Sequence, residues 1–227
     1  MLLLVLGRGK TGSLVAEVAN QRGHGVRVLG EEANNTASAL TAPFLAGFDA
    51  VIDFTTPEAV VPNLKACLAN GARVVVGTTG WYQHLNEMRA IAERRQAALL
   101  YGTNFSVGVQ ALLKVAKTLA VAAKRYEFHI TETHHVDKKD APSGTALTIQ
   151  RVMQDANPDL KVEISSKREG DAAGIHTIEA RSAGDVIRLE HESHSRLGFA
   201  EGAVRAAEWL EGKTGVWNFQ DIFEQLG

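Results

Sequence analysis

A chain of 227 residues with 45% apolar content can bury a sizeable core, as one large domain or two small ones. Its 24 Lys and Arg against 26 Asp and Glu leave a formal charge of −2, so no global field points to nucleic acid or to a membrane surface. One cysteine, Cys67, excludes an intrachain disulfide and fits a reducing cytoplasm, and no apolar run reaches transmembrane length.

Leu2 to Leu6 is a short apolar run without a basic leader, and it reads as a strand, not a signal peptide. Gly7-Arg8-Gly9-Lys10-Thr11-Gly12 follows at once, then a helical stretch from Ser13 to Arg22 and a second strand, Val26 to Leu29. Glu31 stands nineteen residues beyond Gly12. A G-x-G-x-x-G pattern alone is weak. Between two strands, before a helix and with a delayed acid, it favours a dinucleotide site over an ordinary βα turn. Its glycines permit a tight turn and close approach to pyrophosphate, and the acid takes ribose hydroxyls. After Arg27 no basic residue occurs until Lys65. Glu31 or Glu32 would repel the 2′-phosphate of NADPH, so NADH is the expected cofactor, with some NADPH use through Arg8 and Lys10.

Glu31 to Gly47 is poorly periodic and is assigned no element. Strands are expected at Ala50–Phe54, Arg73–Val76 and Ala97–Tyr101. Helices are expected to open at Thr55-Thr56-Pro57-Glu58, with a hydroxyl cap and proline in the first turn, and over Gln83–Arg95. Cys67 falls inside a helix-like run, where a small buried hydrophobe is the natural reading. Alternating strands and helices give a doubly wound parallel sheet whose ligands bind at the carboxyl ends of the strands. Asp53-Phe54-Thr55, Gly77-Thr78-Thr79-Gly80 and Asn104-Phe105-Ser106 all fall at such ends. Each alone is ordinary turn chemistry, but three in succession suggest a cofactor-lined edge.

Val107–Ala123 is a long helix expected to bridge two domains. Beyond it come strand-like runs at Tyr126–Thr133, Val162–Ser166, His176–Ala180 and Val186–His191, with a helix at Thr145–Ala156. That is a smaller α+β domain with one helix on an open sheet. Phe199–Leu210 is helical, and Trp217–Leu226 reads as a short tail.

Chemistry concentrates between Glu132 and Ala146. Ser143 is a plausible N-cap and Pro142 fixes the entry to the helix. The turn aims backbone N–H groups, the Thr145 hydroxyl and a helix N-terminus at one place, which suits an anion. Lys138 adds a full charge and a histidine adds a movable proton. His134 and His135 are consecutive, so they face opposite sides and cannot both ligate one metal from a regular strand. His129, Glu132, Asp137 and the Glu190–His194 run lack recognised metal spacing, and no metal is expected. Lys139 reads as a solvated charge. On its own, Arg196 fits an anion contact and a surface ion pair about equally well.

The run from His134 to Ala146 resembles, without a gap, the signature of the dihydrodipicolinate reductases, also called 4-hydroxy-tetrahydrodipicolinate reductases. The strand-end motifs follow that family's order across nearly the whole chain. This chain has one residue fewer in the glycine loop, Thr11 where methionine is usual, and Gly102-Thr103 for the usual Ala-Pro. It is also shorter, mainly between Gly30 and Ala50.

The resemblance implies a Rossmann-like dinucleotide-binding domain over 1–106 and 196–227. It implies a substrate-binding and oligomerisation domain over 107–195, and a homotetramer formed through the second sheet. It implies NAD(P)H-dependent reduction of a cyclic imine dicarboxylate in lysine and diaminopimelate synthesis, in the cytoplasm. His134 matches the family's acid, and Lys138 its substrate-binding lysine, which helps in proton delivery. His135, Ser143, Gly144 and Thr145 match carboxylate-holding positions, and Arg196 an arginine at the return to the first domain. A semialdehyde dehydrogenase would need a cysteine at a loop tip. A catalytically dead sensor would have lost His134 or Lys138.

Overall fold

Leu2–Leu6 forms strand β1, and Leu3, Leu4, Val5 and Leu6 are all buried. A strand apolar on both faces belongs inside a sheet covered on both sides. In the computed structural model, which describes residues 1–226, β1 takes that place. It pairs in parallel with β2 (Gly25–Leu29) on one side and β3 (Ala50–Asp53) on the other. β4 (Arg73–Val76), β5 (Ala98–Tyr101) and β10 (Gly215–Asn218) extend outward from β3, giving the order β10-β5-β4-β3-β1-β2 with every pair parallel.

The pleat of β1 divides the core in two. Leu3 and Val5 face a cluster with residues of α1 (Lys10–Gln21) and α7 (Leu197–Trp209). Leu4 and Leu6 face the opposite cluster, with α3 (Pro57–Ala69) and α4 (Leu85–Arg95). Helices on both faces of a parallel sheet make this a Rossmann-like doubly wound fold. Thr56 caps α3 by accepting from the Ala59 N–H, with Pro57 in the first turn. Cys67 lies within α3, fully buried, and burial pushes its thiol far above the usual range, so it serves as packing.

Two stretches differ from the sequence expectation. The span assigned no element holds two 3-10 turns, Glu31–Ala33 and Asn35–Ala37, and the one-turn helix α2 (Ala42–Leu45). Leu40 and Leu45 are buried there in the cluster beneath α3, so distant contacts fix these turns where local periodicity is too short to show. The expected tail contains β10, which pairs with β5 as the sixth strand, and then α8 (Phe219–Ile222). The four residues Gly215–Asn218, the last of which caps α8, carry too little pattern to be read alone.

The second sheet runs β7-β6-β8-β9, from β6 (Glu127–His134), β7 (Val162–Arg168), β8 (Ile175–Arg181) and β9 (Val186–Glu192). β7 is parallel to β6, and the other pairs are antiparallel. Phe128, Ile130, Ile178 and Ala180 pack with α6 (Gly144–Ala156). One helix was the expectation here, but α5 (Val107–Ala122) joins the same core through Leu112, Leu113, Ala116 and Ala120. The chain separates into two compact units, Met1–Val107 with the segment from Arg196 onward, and Gly108–Ser195. Among the described residues no helix is long and apolar enough to cross a membrane.

Gly202 in α7 lets that helix approach the chain after β5, since a Cβ there would stand 1.8 Å from the Phe105 carbonyl oxygen. Backbone on both sides leaves nothing flexible to give way. Gly202→Ala is therefore expected to destabilise the protein by roughly 1–3 kcal/mol or more through overpacking. Urea unfolding checks this, and an unchanged midpoint would contradict the close approach.

Candidate active site

The buried face of β6 begins apolar at Phe128 and Ile130 and continues, at the same spacing of two, as Glu132 and His134. The register sets His176 of β8 opposite Glu132, and Arg168 of β7 beside His134. One pleated face therefore passes from hydrophobic rows into a row of ionisable side chains. Glu132 Oε2 and His134 Nδ1 are hydrogen-bonded to each other. Arg168 donates to both Glu132 oxygens, at 3.0 and 3.2 Å from Nη1 and 3.0 Å from Nη2.

Arg168 also ties down the turn that follows β6. It donates to the Lys138 carbonyl at 3.2 Å and to the Asp140 carbonyl at 2.6 Å. Lys138 Nζ meets both oxygens of the Asp140 carboxylate, at 2.8 and 2.9 Å. Ser143 caps α6 by accepting from the Ala146 N–H, and its hydroxyl lies 3.0 Å from His176 Nε2. His135 is half-buried just past the strand, and Gly144 is exposed, with open space where a Cβ would stand. His134, Lys138, Ser143, Gly144 and Thr145 thus lie on the end of β6, its turn and the first turn of α6.

Burial alone would raise the Glu132 carboxyl, but hydrogen bonds from Arg168, Ser166 and His134 outweigh it and hold the pKa below the ordinary range. The His134 imidazole is pushed down by burial first. Glu132 opposes that shift, and the Lys138 and Arg168 charges add to it. A buried anion beside a neutral imidazole assigns the Nδ1–H as donor to Glu132 and leaves Nε2 as the exchangeable position. Nε2 lies against Gly174, where an added Cβ would come within 3.0 Å of it.

The other unit carries a second polar site. Gly7 has φ +102°, and a Cβ on it would stand 2.2 Å from the Phe54 carbonyl oxygen. Gly12 is equally tight, with its Cβ position 2.2 Å from the Gly7 carbonyl oxygen. Gly9 instead faces open space at the start of α1, where a side chain would occupy the room a phosphate needs. A cavity of about 310 Å³ opens there. It is lined by Gly9, Lys10 and Thr11 after β1, by Phe54 and Thr55 after β3, by Gly77, Thr78 and Thr79 after β4, and by Arg196. Arg196 Nη1 donates to Thr11 Oγ1 at 3.3 Å, so this side chain stands with the glycine loop.

Several expected residues stand behind that wall. Asp53 is buried and accepts hydrogen bonds from Thr55 and Thr78, which line the cavity. Phe105 is core, tilted against the Phe219 ring and edge-on to Phe54, and Asn104 accepts from the Ser106 N–H. Arg8 lies across Gly30, and Glu31 and Glu32 are exposed just beyond it.

Comparison with known proteins decides the family. A model of the dihydrodipicolinate reductase N-terminus matches residues 1–105, and one of the dihydrodipicolinate reductase C-terminus matches residues 108–223. The chain belongs to the dihydrodipicolinate reductase family. It is 33% identical over 242 residues to a 4-hydroxy-tetrahydrodipicolinate reductase of Christiangramia forsetii, covering 100% of this chain and 99% of that one. It is 35% identical over 246 residues to one of Natronomonas pharaonis, covering 97% and 99%. Its fold is similar to the dipicolinate-bound dihydrodipicolinate reductase from Paenisporosarcina sp. TG-14, with a TM-score of 0.81 and 24% identity over 98% of this chain and 99% of that one.

Within this family member, sequence reasoning missed three residues beside His134. Glu132 enters the sequence reading only as a metal candidate, although its spacing of two from His134 puts both on one face of a strand. Arg168 and His176 arrive through strand register, which no local pattern shows.

Burial first, then the charges around it, pushes the His176 pKa down to about 4. The unfolded chain protonates this imidazole near pH 6.5 while the fold resists, so stability is lost as pH falls from about 6.5 towards 4, by about 1.4 kcal/mol per pH unit. His176→Gln is expected to lose less stability than wild type between pH 7 and 4.5. Urea midpoints at the two pH values check this, and parallel losses would show that His176 titrates normally.

Proposed function

We propose that the chain reduces 4-hydroxy-tetrahydrodipicolinate to tetrahydrodipicolinate in lysine and diaminopimelate synthesis, using the hydride of NAD(P)H and a proton, with loss of the 4-hydroxyl as water. The observation that carries this reading is the buried Glu132–His134 pair directly before the Lys138 turn and the capped start of α6, in a chain matched across both parts of the reductase family. The glycine loop supports a dinucleotide, because Gly9 leaves a phosphate-sized opening at a helix N-terminus while Gly7 and Gly12 pack tightly behind it. When bound, the nicotinamide supplies the hydride.

The remaining chemistry belongs to this chain's side chains. Glu132 holds His134 by Nδ1, so that Nε2 takes up a proton from solvent and passes it to the substrate, returning to the neutral imidazole. Arg168 keeps Glu132 ionised, and the anion stabilises the imidazolium that donates. Lys138, which Asp140 holds in place, exchanges that partner for a substrate carboxylate. His135, Ser143, Gly144 and Thr145 hold carboxylate oxygens at the helix start. Arg196, beside Thr11, supplies a cation for a substrate carboxylate. We propose further that the enzyme works in the cytoplasm as a homotetramer joined through the second sheet, whose outward rows include His129, Thr131, Thr177 and Glu190. Oxidation of NADH in an assay that generates the substrate from pyruvate and aspartate semialdehyde tests the activity.

His134→Gln is expected to lower kcat by roughly 10²-fold or more while NADH still binds. A folded variant with wild-type kcat would remove His134 from proton transfer.

Cofactor choice follows from the loop after β2. Glu31 and Glu32 are exposed there and would repel a 2′-phosphate, while Arg8, whose side chain lies against Gly30, is a cation that could offset this. NADH is expected to exceed NADPH in kcat/KM by at least about tenfold, or roughly 1.4 kcal/mol. Steady-state kinetics with both cofactors at one ionic strength decides it. A preference for NADPH would mean that Arg8 and Lys10 outweigh the glutamates.

A further inference from the structure

Asp53 ends β3 with its carboxylate buried among donors. Oδ1 accepts from the Thr55 N–H at 3.0 Å, from Thr55 Oγ1 at 2.7 Å and from Thr78 Oγ1 at 2.8 Å, and Oδ2 accepts from Asn63 Nδ2 at 2.9 Å. Burial pushes this carboxyl up against the opposing pull of its four hydrogen bonds, and the Asn63 amide turns its NH₂ towards Asp53 and its oxygen away. On that far side Asn34 Nδ2 donates to Asn63 Oδ1 at 2.9 Å. Asn34 Oδ1 in turn accepts from the Ala39 N–H at 3.3 Å. One buried carboxyl group therefore anchors a continuous chain of hydrogen bonds from the cavity wall at Thr55 and Thr78 to the loop after β2.

That loop needs holding. Thr36 and Ala37 sit side by side at φ +52° and +62°, a region that side chains with a Cβ avoid, and threonine is β-branched as well. Such residues persist only where surrounding contacts over-determine them. Leu40 anchors the far end of the loop in the core, and the Asn34–Asn63 pair ties its near end, three residues after Glu31.

We infer that Asn34 and Asn63 are positioning residues for the adenosine ribose end of the cofactor, acting through the loop that carries Glu31 and Glu32. This rests on the proposed reading that one of these glutamates takes the ribose hydroxyls. A purely structural role would loosen the loop without touching cofactor discrimination. The relay makes the stronger demand that NADH suffer more than NADPH, because only the unphosphorylated ribose draws on the glutamates.

Asn34→Ala is the decisive variant. Asn34 is only half-buried, and the change leaves the Asp53–Asn63 bond in place. Hydrogen exchange of residues 31–41 in the cofactor-free protein should speed up, and fluorescence titration should show NADH binding weakened, each by about 3–10-fold, the worth of one hydrogen bond. KM for NADH should follow its affinity, with kcat and NADPH affinity moving much less. Asn63→Leu should repeat this pattern with a larger exchange effect. Unchanged loop exchange in both variants would overturn the relay. Faster exchange with NADH affinity unaltered, or with NADPH weakened equally, would overturn its role in positioning the ribose. Wild-type protein that binds neither cofactor would instead overturn the reading of the site beneath it, and the exchange result would stand apart from that.

Discussion

A carboxylate removed from water stays ionised only where other donors replace the solvent, and Glu132 meets that condition on a strand whose inward face is apolar up to Ile130 and ends in His134. Arg168 supplies the replacement and does more than neutralise. The same guanidinium reaches the Lys138 and Asp140 carbonyls, so the group that makes the buried anion tolerable also fixes the turn carrying the candidate anion-binding side chains. Glu132 in turn gives His134 a fixed tautomer. Without Arg168, Glu132 would favour its protonated form, His134 would lose its orienting anion, and the turn would lose two of its backbone tethers. Electrostatics and local geometry are one problem here, solved by one residue.

The first unit follows the opposite strategy. Its site is defined by what is missing, since a Cβ on Gly7 or Gly12 would collide with backbone oxygens a few residues or one strand away. Those close approaches bring the ends of β1 and β3 together where the strand order reverses, which is where doubly wound sheets hold ligands. Gly9, by contrast, leaves space and not contact. Three glycines in one short loop thus do different work, two closing the backbone on itself and one opening it. Behind them, buried Asp53 gathers the hydroxyls of Thr55 and Thr78, so the cavity wall is fixed from the rear by a polar core residue.

Legibility in the sequence tracked how local each feature is. β1, the glycine loop, α1 and β2 are contiguous, and their pattern is complete within thirty residues. The capped start of α6 was legible for the same reason, because an N-cap serine bonds only three residues ahead. Arg168 lies 36 residues from Glu132 and reaches it only because β7 and β6 pair in parallel. His176 arrives by a separate, antiparallel pairing, and β10 has too few residues to announce itself.

The sequence by itself determined the alternation of strands and helices, the glycine turn, the family signature from His134 to Ala146, and the apolar rows that make each core. These depend on periodicity and on short-range hydrogen bonds, which a linear pattern records. Only the tertiary structure decided which residue pairs with the Glu132 carboxylate, that Asp53 stands behind the cavity wall, and that Arg196 stands beside Thr11. Those outcomes depend on strand register and on the burial of ionisable groups, and a buried charge takes whichever donor the fold brings within reach, however far away it lies in the chain.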